Sequence, residues 1–412
     1  MSDSQFRAVL DSLSRAAPSV DEEPSHPQSV AVLGAGPVGL LLACECLAAG
    51  LRVRLASLYG DELRILRAAG AITVRGEHLV GSYAVADKIG STPAVEIADS
   101  IDEAVAGAEV IFIATPAIAH TTYAGVLAPV LESGQTVILV PGRFLGSVDF
   151  TRTLSAHLAP ADVTIGELAH APYIATSSGA AVHVFAVTKK LGCATLPVES
   201  ASELCRTLAQ VLPMLHPVDS PLDTAFGTVT GVLNVAPLAT NVGVFEAKDD
   251  PSLKTLVTPG LSRTILRRLD TERREVAFRY GVRDLVSVAT WLRESFGDDG
   301  EVQSGDDIHE ALDGIESFDD VKFGWDGAPQ VFDDVANVLV PLASAGRIAG
   351  VPTPVTEMVI ALASTLSGTD LQAEGRSFER LGLAGHAPAD LRRHLASLDR
   401  TRTSAATNWQ KV

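Results

Sequence analysis

The stretch VAVLGAGPVGLLLACECLAAG, residues 30–50, leaves few folds open. It reads as an apolar strand, a glycine turn and a helix, and its centre, Gly34 to Gly39, fits the pattern G-x-G-x-x-G. The pattern by itself is weak, but here it follows a strand and opens a helix, which is the setting it requires. Gly34 permits the tight turn, Gly36 lets the backbone approach a pyrophosphate, and Gly39 lets helix and strand pack closely. The helix start offers free N–H groups and the positive end of a dipole to phosphate oxygens. We therefore expect Gly34, Ala35, Gly36, Pro37, Val38 and Gly39 to hold a dinucleotide. The run is apolar enough to imitate a membrane span, but its glycines, Pro37 and Glu45 favour the strand–turn–helix reading.

From residue 30 to about 190, short apolar runs alternate with helical stretches. The expected strands are VAVLG (30–34), RVRLAS (52–57), EVIFIAT (109–115), TVILVP (136–141), VTIGEL (163–168) and AVHVFAV (181–187). Such alternation is the signature of a doubly wound parallel sheet. From about 195 onward helical periodicity dominates, as in SASELCRTLAQVLP, TPGLSRTILRRLDTERREVAFRYG and TPVTEMVIALASTLSG. The fold class expected is an α/β Rossmann-type dinucleotide-binding domain followed by an all-helical substrate domain. The divisions are a mobile arm over 1–28, the dinucleotide-binding domain over 29–192, the helical domain over 193–400 and a loose tail over 401–412.

The balance of 50 acidic against 32 basic residues, net charge −18, argues against nucleic acid or an anionic membrane as a partner. The four cysteines lack metal-ligand spacing and read as buried reduced thiols, and no metal is expected. No stretch at the N-terminus has the apolar core of an export signal, so a cytoplasmic protein acting on a small molecule is expected, with a homodimer compatible with the long helices.

The end of the second strand selects between cofactors. An NAD-binding protein usually places an acid there, but the count from Gly39 falls near Ser57, and Asp61 lies a turn later. Ser57 can hydrogen-bond a 2′-phosphate that an Asp would repel, although no arginine follows, so NADP is expected, with NAD as the alternative. Thr115 and Pro116 end the strand EVIFIAT at the carboxyl edge, where a nicotinamide would lie. His120 follows on the next helix, as a group near the cofactor or as a packing histidine.

Together with this pattern, the stretches VLGAGPVG, IATPAIAH, VPGRFLG (140–146), LDTERREVAFRYGV (269–282), LVPLASAGRIAGVPTP (339–354) and EGRSFERLGL (374–383) make the chain resemble the opine dehydrogenases of the octopine and nopaline group. The resemblance implies a dinucleotide domain joined to a helical substrate domain. It also implies a reaction that condenses an amine with a 2-oxo acid and reduces the resulting imine with NAD(P)H. The family's catalytic histidine would fall on Asn234 in LNVAPLATN, a stretch with no side chain that titrates near neutrality. A carboxamide can donate a hydrogen bond but cannot supply a proton. The family's substrate arginines would fall on Thr176 and near Pro329, while its acid would survive as Asp334.

Three readings follow. The protein reduces an imine poorer in carboxylates than an ordinary opine precursor, with Asn234 positioning it and Asp334 orienting the amine. Alternatively, a replacement acid, best represented by His170, serves a ketone or an imine formed in place. In the third reading the chain binds a dinucleotide without turnover. Asn234 also has a plain alternative as a residue satisfying buried backbone, and Asn241 more so.

Overall fold

The computed structural model describes residues 27–398 apart from 88–89, 91–92, 158, 160–161, 244–250, 258–259, 298–305 and 323–327. Nearly all of the expected arm and the tail lie outside the described residues, as do Thr258-Pro259 at the head of the helical stretch TPGLSRTILRR and the acid Glu246 that follows LNVAPLATN in sequence.

Twelve strands form one sheet: β1 (Ser29–Leu33), β2 (Arg52–Ala56), β3 (Ala71–Gly76), β4 (Gly81–Ala86), β5 (Val95–Ile97), β6 (Val110–Ile113), β7 (Thr136–Leu139), β8 (Thr164–Leu168), β9 (Tyr173–Ser178), β10 (Ala181–Val187), β11 (Leu191–Leu196) and β12 (Leu215–Pro217). Their order is β12-β11-β8-β7-β6-β1-β2-β5-β4-β3-β10-β9. The run from β8 to β5 is parallel throughout. Strand β1 lies between β2 and β6, so the chain reverses its direction of winding there. A crevice outside the carboxyl ends of the strands is expected at such a point. The turn after β1 and the turn after β6 meet at it.

All six strands expected from the sequence are present, within a few residues. The other six escaped notice because they carry little apolar signal: β4 has no fully buried residue and β5 spans three residues. The sheet also runs past the expected boundary at 192, since β11 and β12 follow it. In β11 the buried positions include Cys193 and Ala194, small residues that do not announce a strand.

The second half is helical, with one apolar cluster built around the helix Val229–Thr240. Val232, Leu233, Val235 and Ala236 of that helix are buried with Leu266, Leu269, Leu292, Leu339 and Val359. Gly231 lets the helix approach a π-helical turn, Val335–Leu339, because a Cβ there would lie 2.7 Å from Val338. The long helix Gly260–Arg279 contributes buried polar ties. Arg273 donates to Asp270 Oδ1 at 2.6 and 3.0 Å and to the Val286 carbonyl at 2.9 Å. Glu272 accepts from Val355 N, Thr356 N and Thr356 Oγ1. The polar residues of LDTERREV thus fasten neighbouring segments to the helix.

All four cysteines are free and buried. Burial pushes the Cys44 thiol up to about 12, which keeps it protonated and inert near neutrality.

Arg273→Met removes two bonds to the buried Asp270 but leaves Arg274 Nε 3.1 Å from its other oxygen, so the loss should be about 1.5–3 kcal/mol of stability. Urea unfolding measures this, and a loss below about 1 kcal/mol would show that the tie carries little. Gly39→Ala should be at least as harmful, since its Cβ would fall 2.0 Å from the Gly34 carbonyl oxygen.

Candidate active site

The glycine turn is shaped by its neighbours. Gly34 has φ +114°, and a Cβ on it would meet the Ala114 carbonyl at 2.4 Å and Thr115 Cγ2 at 2.9 Å. Gly36 differs: nothing lies within 4 Å of where its Cβ would be. It is the N-cap of the helix Pro37–Ala48, which has no side-chain cap. Open space before uncapped N–H groups fits a pyrophosphate. The same geometry brings Thr115, two residues past the end of β6, against the turn; Pro116 follows it on the surface.

Ser57 follows β2 and is half-buried. Its hydroxyl contacts Glu62 Oε2 at 3.3 Å and accepts from Tyr59 N at 3.0 Å. The first turn of the helix Gly60–Ala69 thus sets a carboxylate beside Ser57, five residues on in sequence.

Asn234 and Asp334 meet. Asn234 Nδ2 donates to Asp334 Oδ2 at 3.0 Å, joining the helix Val229–Thr240 to the end of the helix Ala328–Asp334. Arg143, from the VPGRFLG stretch after β7, places Nη2 2.8 Å from Asp334 Oδ1. That contact is an ion pair without hydrogen-bond alignment, because Asp334 Oδ1 and Arg143 Nε both lack a hydrogen-bond partner. Arg143 Nη1 donates to Thr230 Oγ1 at 3.2 Å. Asp333 faces the other way: it accepts from Ala117 N at 3.1 Å and Ile118 N at 2.8 Å, in the turn after Thr115-Pro116. It also accepts from Asn337 Nδ2 at 3.0 Å.

The site is buried and charged. Burial pushes the Asp334 carboxyl up to about 7, against the pull of the Arg143 guanidinium, and Asp333 adds to the rise. His120 is fully buried and held well below its ordinary value by burial and by Arg376 and Arg143, so it is neutral. Thr115 Oγ1 and both ring nitrogens of His120 lack hydrogen-bond partners. Buried polar atoms are seldom left so, and Arg143 Nε and Asp334 Oδ1 share that condition, which fits bound water or a ligand beside them.

His170 is not hydrogen-bonded to this pair. Its Nδ1 lies 3.0 Å from the Ala171 carbonyl, and its ring meets Trp291 edge-on at 5.1 Å. It lines a cavity of about 630 Å³ with Lys190, His216, Arg283 and Glu294, and neither Asn234 nor Asp334 is part of that wall. Burial drives its pKa down to about 4. A neutral imidazole outside the pair does not match the acid expected of it. Asn241 follows the plain reading, donating to the Pro237 carbonyl at 3.0 Å just past the end of its helix. Thr176 is exposed on the outermost strand β9, and Pro329 is exposed too. The cation of the site is Arg143, which sequence reasoning passed over within a stretch quoted only for its likeness. Asp333 was missed as well, because the likeness singled out only its neighbour Asp334. Among the described residues no group of three or more His, Cys, Asp or Glu could hold a metal ion, and no helix is long and apolar enough to cross a membrane.

Comparison with known proteins agrees with this architecture. Residues 217–367 match the family described as NAD/NADP octopine/nopaline dehydrogenase, alpha-helical domain. The chain is 31% identical to an opine dehydrogenase of Arthrobacter sp. (strain 1C) over 369 residues, covering 89% of this chain and 98% of that one. It is 24% identical to the protein ocs of Agrobacterium tumefaciens (strain Ach5), covering 86% and 96%. Among solved structures, octopine dehydrogenase with NADH and agmatine superposes with a TM-score of 0.66 at 19% identity, over 86% of this chain and 95% of that one. Yersinopine dehydrogenase with NADP+ gives 0.58 at 15% identity, over 92% and 99%. The chain belongs to the opine dehydrogenase family and is an NAD(P)-dependent oxidoreductase acting on CH–NH bonds.

Proposed function

We propose that this enzyme reduces the C=N bond of a small imine whose nitrogen is positively charged, with Asn234, Asp334 and Arg143 around the reacting atoms and NADH as the preferred reductant. One observation carries the reading. Asp334 is wholly buried, one oxygen held by Asn234 and the other beside Arg143, at the sheet edge that also bears Thr115 and the glycine turn. With both carboxyls ionised, Asp333, Asp334 and Arg143 together carry one negative charge too many. A buried surplus charge is costly unless something offsets it. An iminium does so, whereas a second substrate carboxylate would not. The solved relatives include complexes with agmatine, L-arginine and pyruvate, which supports an amine and a 2-oxo acid as the components.

A reduced nicotinamide held by the glycine turn Gly34–Gly39 would supply hydride to the carbon of the C=N bond. The electron pair of that bond moves to nitrogen, and a neutral secondary amine results. The iminium already carries its proton, so an amide at position 234 is no obstacle to this step. Asn234 fixes the orientation of the carboxylate, and Asp334 stabilises the cation. The free Nε of Arg143 is available to the carboxylate on the carbonyl-derived half. His170, neutral and in a separate cavity wall, has no part in this scheme.

The contact between Ser57 and Glu62 turns the sequence-based expectation of NADP toward NAD. A carboxylate there accepts bonds from ribose hydroxyls and repels a 2′-phosphate. NADH should therefore bind more tightly than NADPH in a fluorescence titration, and Glu62→Gln should narrow the difference; equal affinities in the parent protein would reject the preference. Gly36→Ala should weaken both nucleotides about tenfold or more, some 1.4 kcal/mol, while leaving thermal stability unchanged.

A screen of primary amines with pyruvate, followed by NADH oxidation, identifies the substrate. With it in hand, kcat/KM should fall as pH drops through about 7, because only ionised Asp334 offsets the cation. Asp334→Asn should be nearly inactive, with no inflection there. Asn234→Ala should cost about 1.5–3 kcal/mol in kcat/KM through the lost hydrogen bond to a charged group. Full activity in that variant would return Asn234 to a purely structural role.

A further inference from the structure

The stretch EGRSFERLGL lies far from the reaction centre in sequence, yet Arg376 reaches the loop that carries Arg143. Arg376 is 4% exposed. Its Nη1 donates to the carbonyls of Gly142 and Phe144, both at 3.2 Å, which flank Arg143 on either side. Its Nε donates to Asp149 Oδ2 at 3.0 Å, in the helix Gly146–Ala156 that follows the loop. The loop needs such support: Arg143 has φ +60° and Leu145 φ +56°, both left-handed and neither glycine. Residues of this kind persist only where the surroundings over-determine them.

The backbone around Arg376 is anchored as firmly. Arg376 N donates to the Ala336 carbonyl at 2.9 Å, in the π-helical turn directly after Asp334. Gly375 is pressed onto that turn, since a Cβ there would lie 2.7 Å from the Ala336 oxygen and 2.8 Å from Val340 Cβ. From the same turn, the Asn337 carbonyl accepts from Phe144 N at 3.2 Å. One residue therefore touches both supports of the ion pair, the loop bearing Arg143 and the turn following Asp334. π-helical turns inside helices often mark functional sites.

We propose that Arg376 is a positioning residue: by holding the carbonyls on both sides of Arg143 against the π-helical turn, it fixes the Arg143 guanidinium on Asp334. It is not a catalytic residue, because it touches neither Asp334 nor Asn234. Its importance for turnover rests on the reading that Asp334 faces the substrate. The clamp itself is testable without any substrate.

The polar and charged groups facing Asp334 are Arg143, Asp333, Asn234 and Gln330. Those around Arg376 are Asp149, Glu167 and His120. Arg143 favours the ionised form of Asp334, so freeing Arg143 should make Asp334 keep its proton to higher pH. Infrared spectroscopy over a pH series reads this as the carboxylic-acid carbonyl band that Asp334→Asn removes. In Arg376→Met the midpoint of that band should move up by about one pH unit, a tenfold change in proton affinity. Arg376→Lys keeps the charge but not the planar fork, and should shift the midpoint nearly as far. Guanidinium ion added to Arg376→Ala should move it back.

Retained NADH binding serves as the check that each variant is folded. If Arg376→Met does not fold, Asp149→Ala, which removes only the acceptor of the Nε bond, should give a smaller shift in the same direction. An unchanged midpoint in the folded variants, or full restoration by lysine, would overturn the proposal. A shifted midpoint in a protein that reduces none of the imines tested would instead sustain the clamp and defeat the functional reading.

Discussion

Two adjacent carboxylates, Asp333 and Asp334, hold the molecule's two halves in working relation. They end one helix of the second half and point in different directions. Asp333 takes two backbone N–H groups from the turn after β6, where the switch-point crevice lies. Asp334 takes Asn234 from its own half and Arg143 from the loop after β7. A carboxylate that accepts backbone amides is a stronger anchor than a neutral contact of the same length. The placement of Asn234, Asp334 and Arg143 relative to the glycine turn follows from that pair.

The chemistry of the centre follows from the burial of these charges. In water, a guanidinium beside two carboxylates would leave both ionised and unremarkable. Out of water, burial pushes the Asp334 carboxyl up against the pull of Arg143, and the neighbouring Asp333 adds to the rise. On the proposed reading, it is the ionised form of Asp334 that receives a cationic substrate. An amide in place of an imidazole suits this arrangement, since it adds a donor without adding charge. The neutral His120, set between Arg143 and Arg376, likewise adds none.

Much of the fold was legible because local patterns and tertiary structure agree. The glycine turn, the six strongest strands and the long helices are specified by residues close in sequence. The edge strands β9 and β12 were not, because they bury few side chains and leave little periodic signal, and the interior strand β4 has no fully buried residue either. At the site, Asn234 and Asp334 were legible through a family likeness, and Thr115 through its place after a strand. Arg143 and Glu62 were not. The first is brought in by a left-handed loop, and the second reaches Ser57 from the next helix rather than from the strand end.

The sequence by itself determined that a dinucleotide turn opens the chain's α/β half and that a helical half follows, since both rest on spacing within a few turns of backbone. It also determined that position 234 carries an amide. Only the tertiary structure decided which charges surround that amide. Arg143, Asp333 and Asp334 lie up to 191 residues apart in the chain. Their mutual effect depends on distance and on exclusion of water, and neither is written in the order of residues. The same holds for His170, whose titratable side chain made it a candidate in the sequence and whose burial in another wall gave it a different setting.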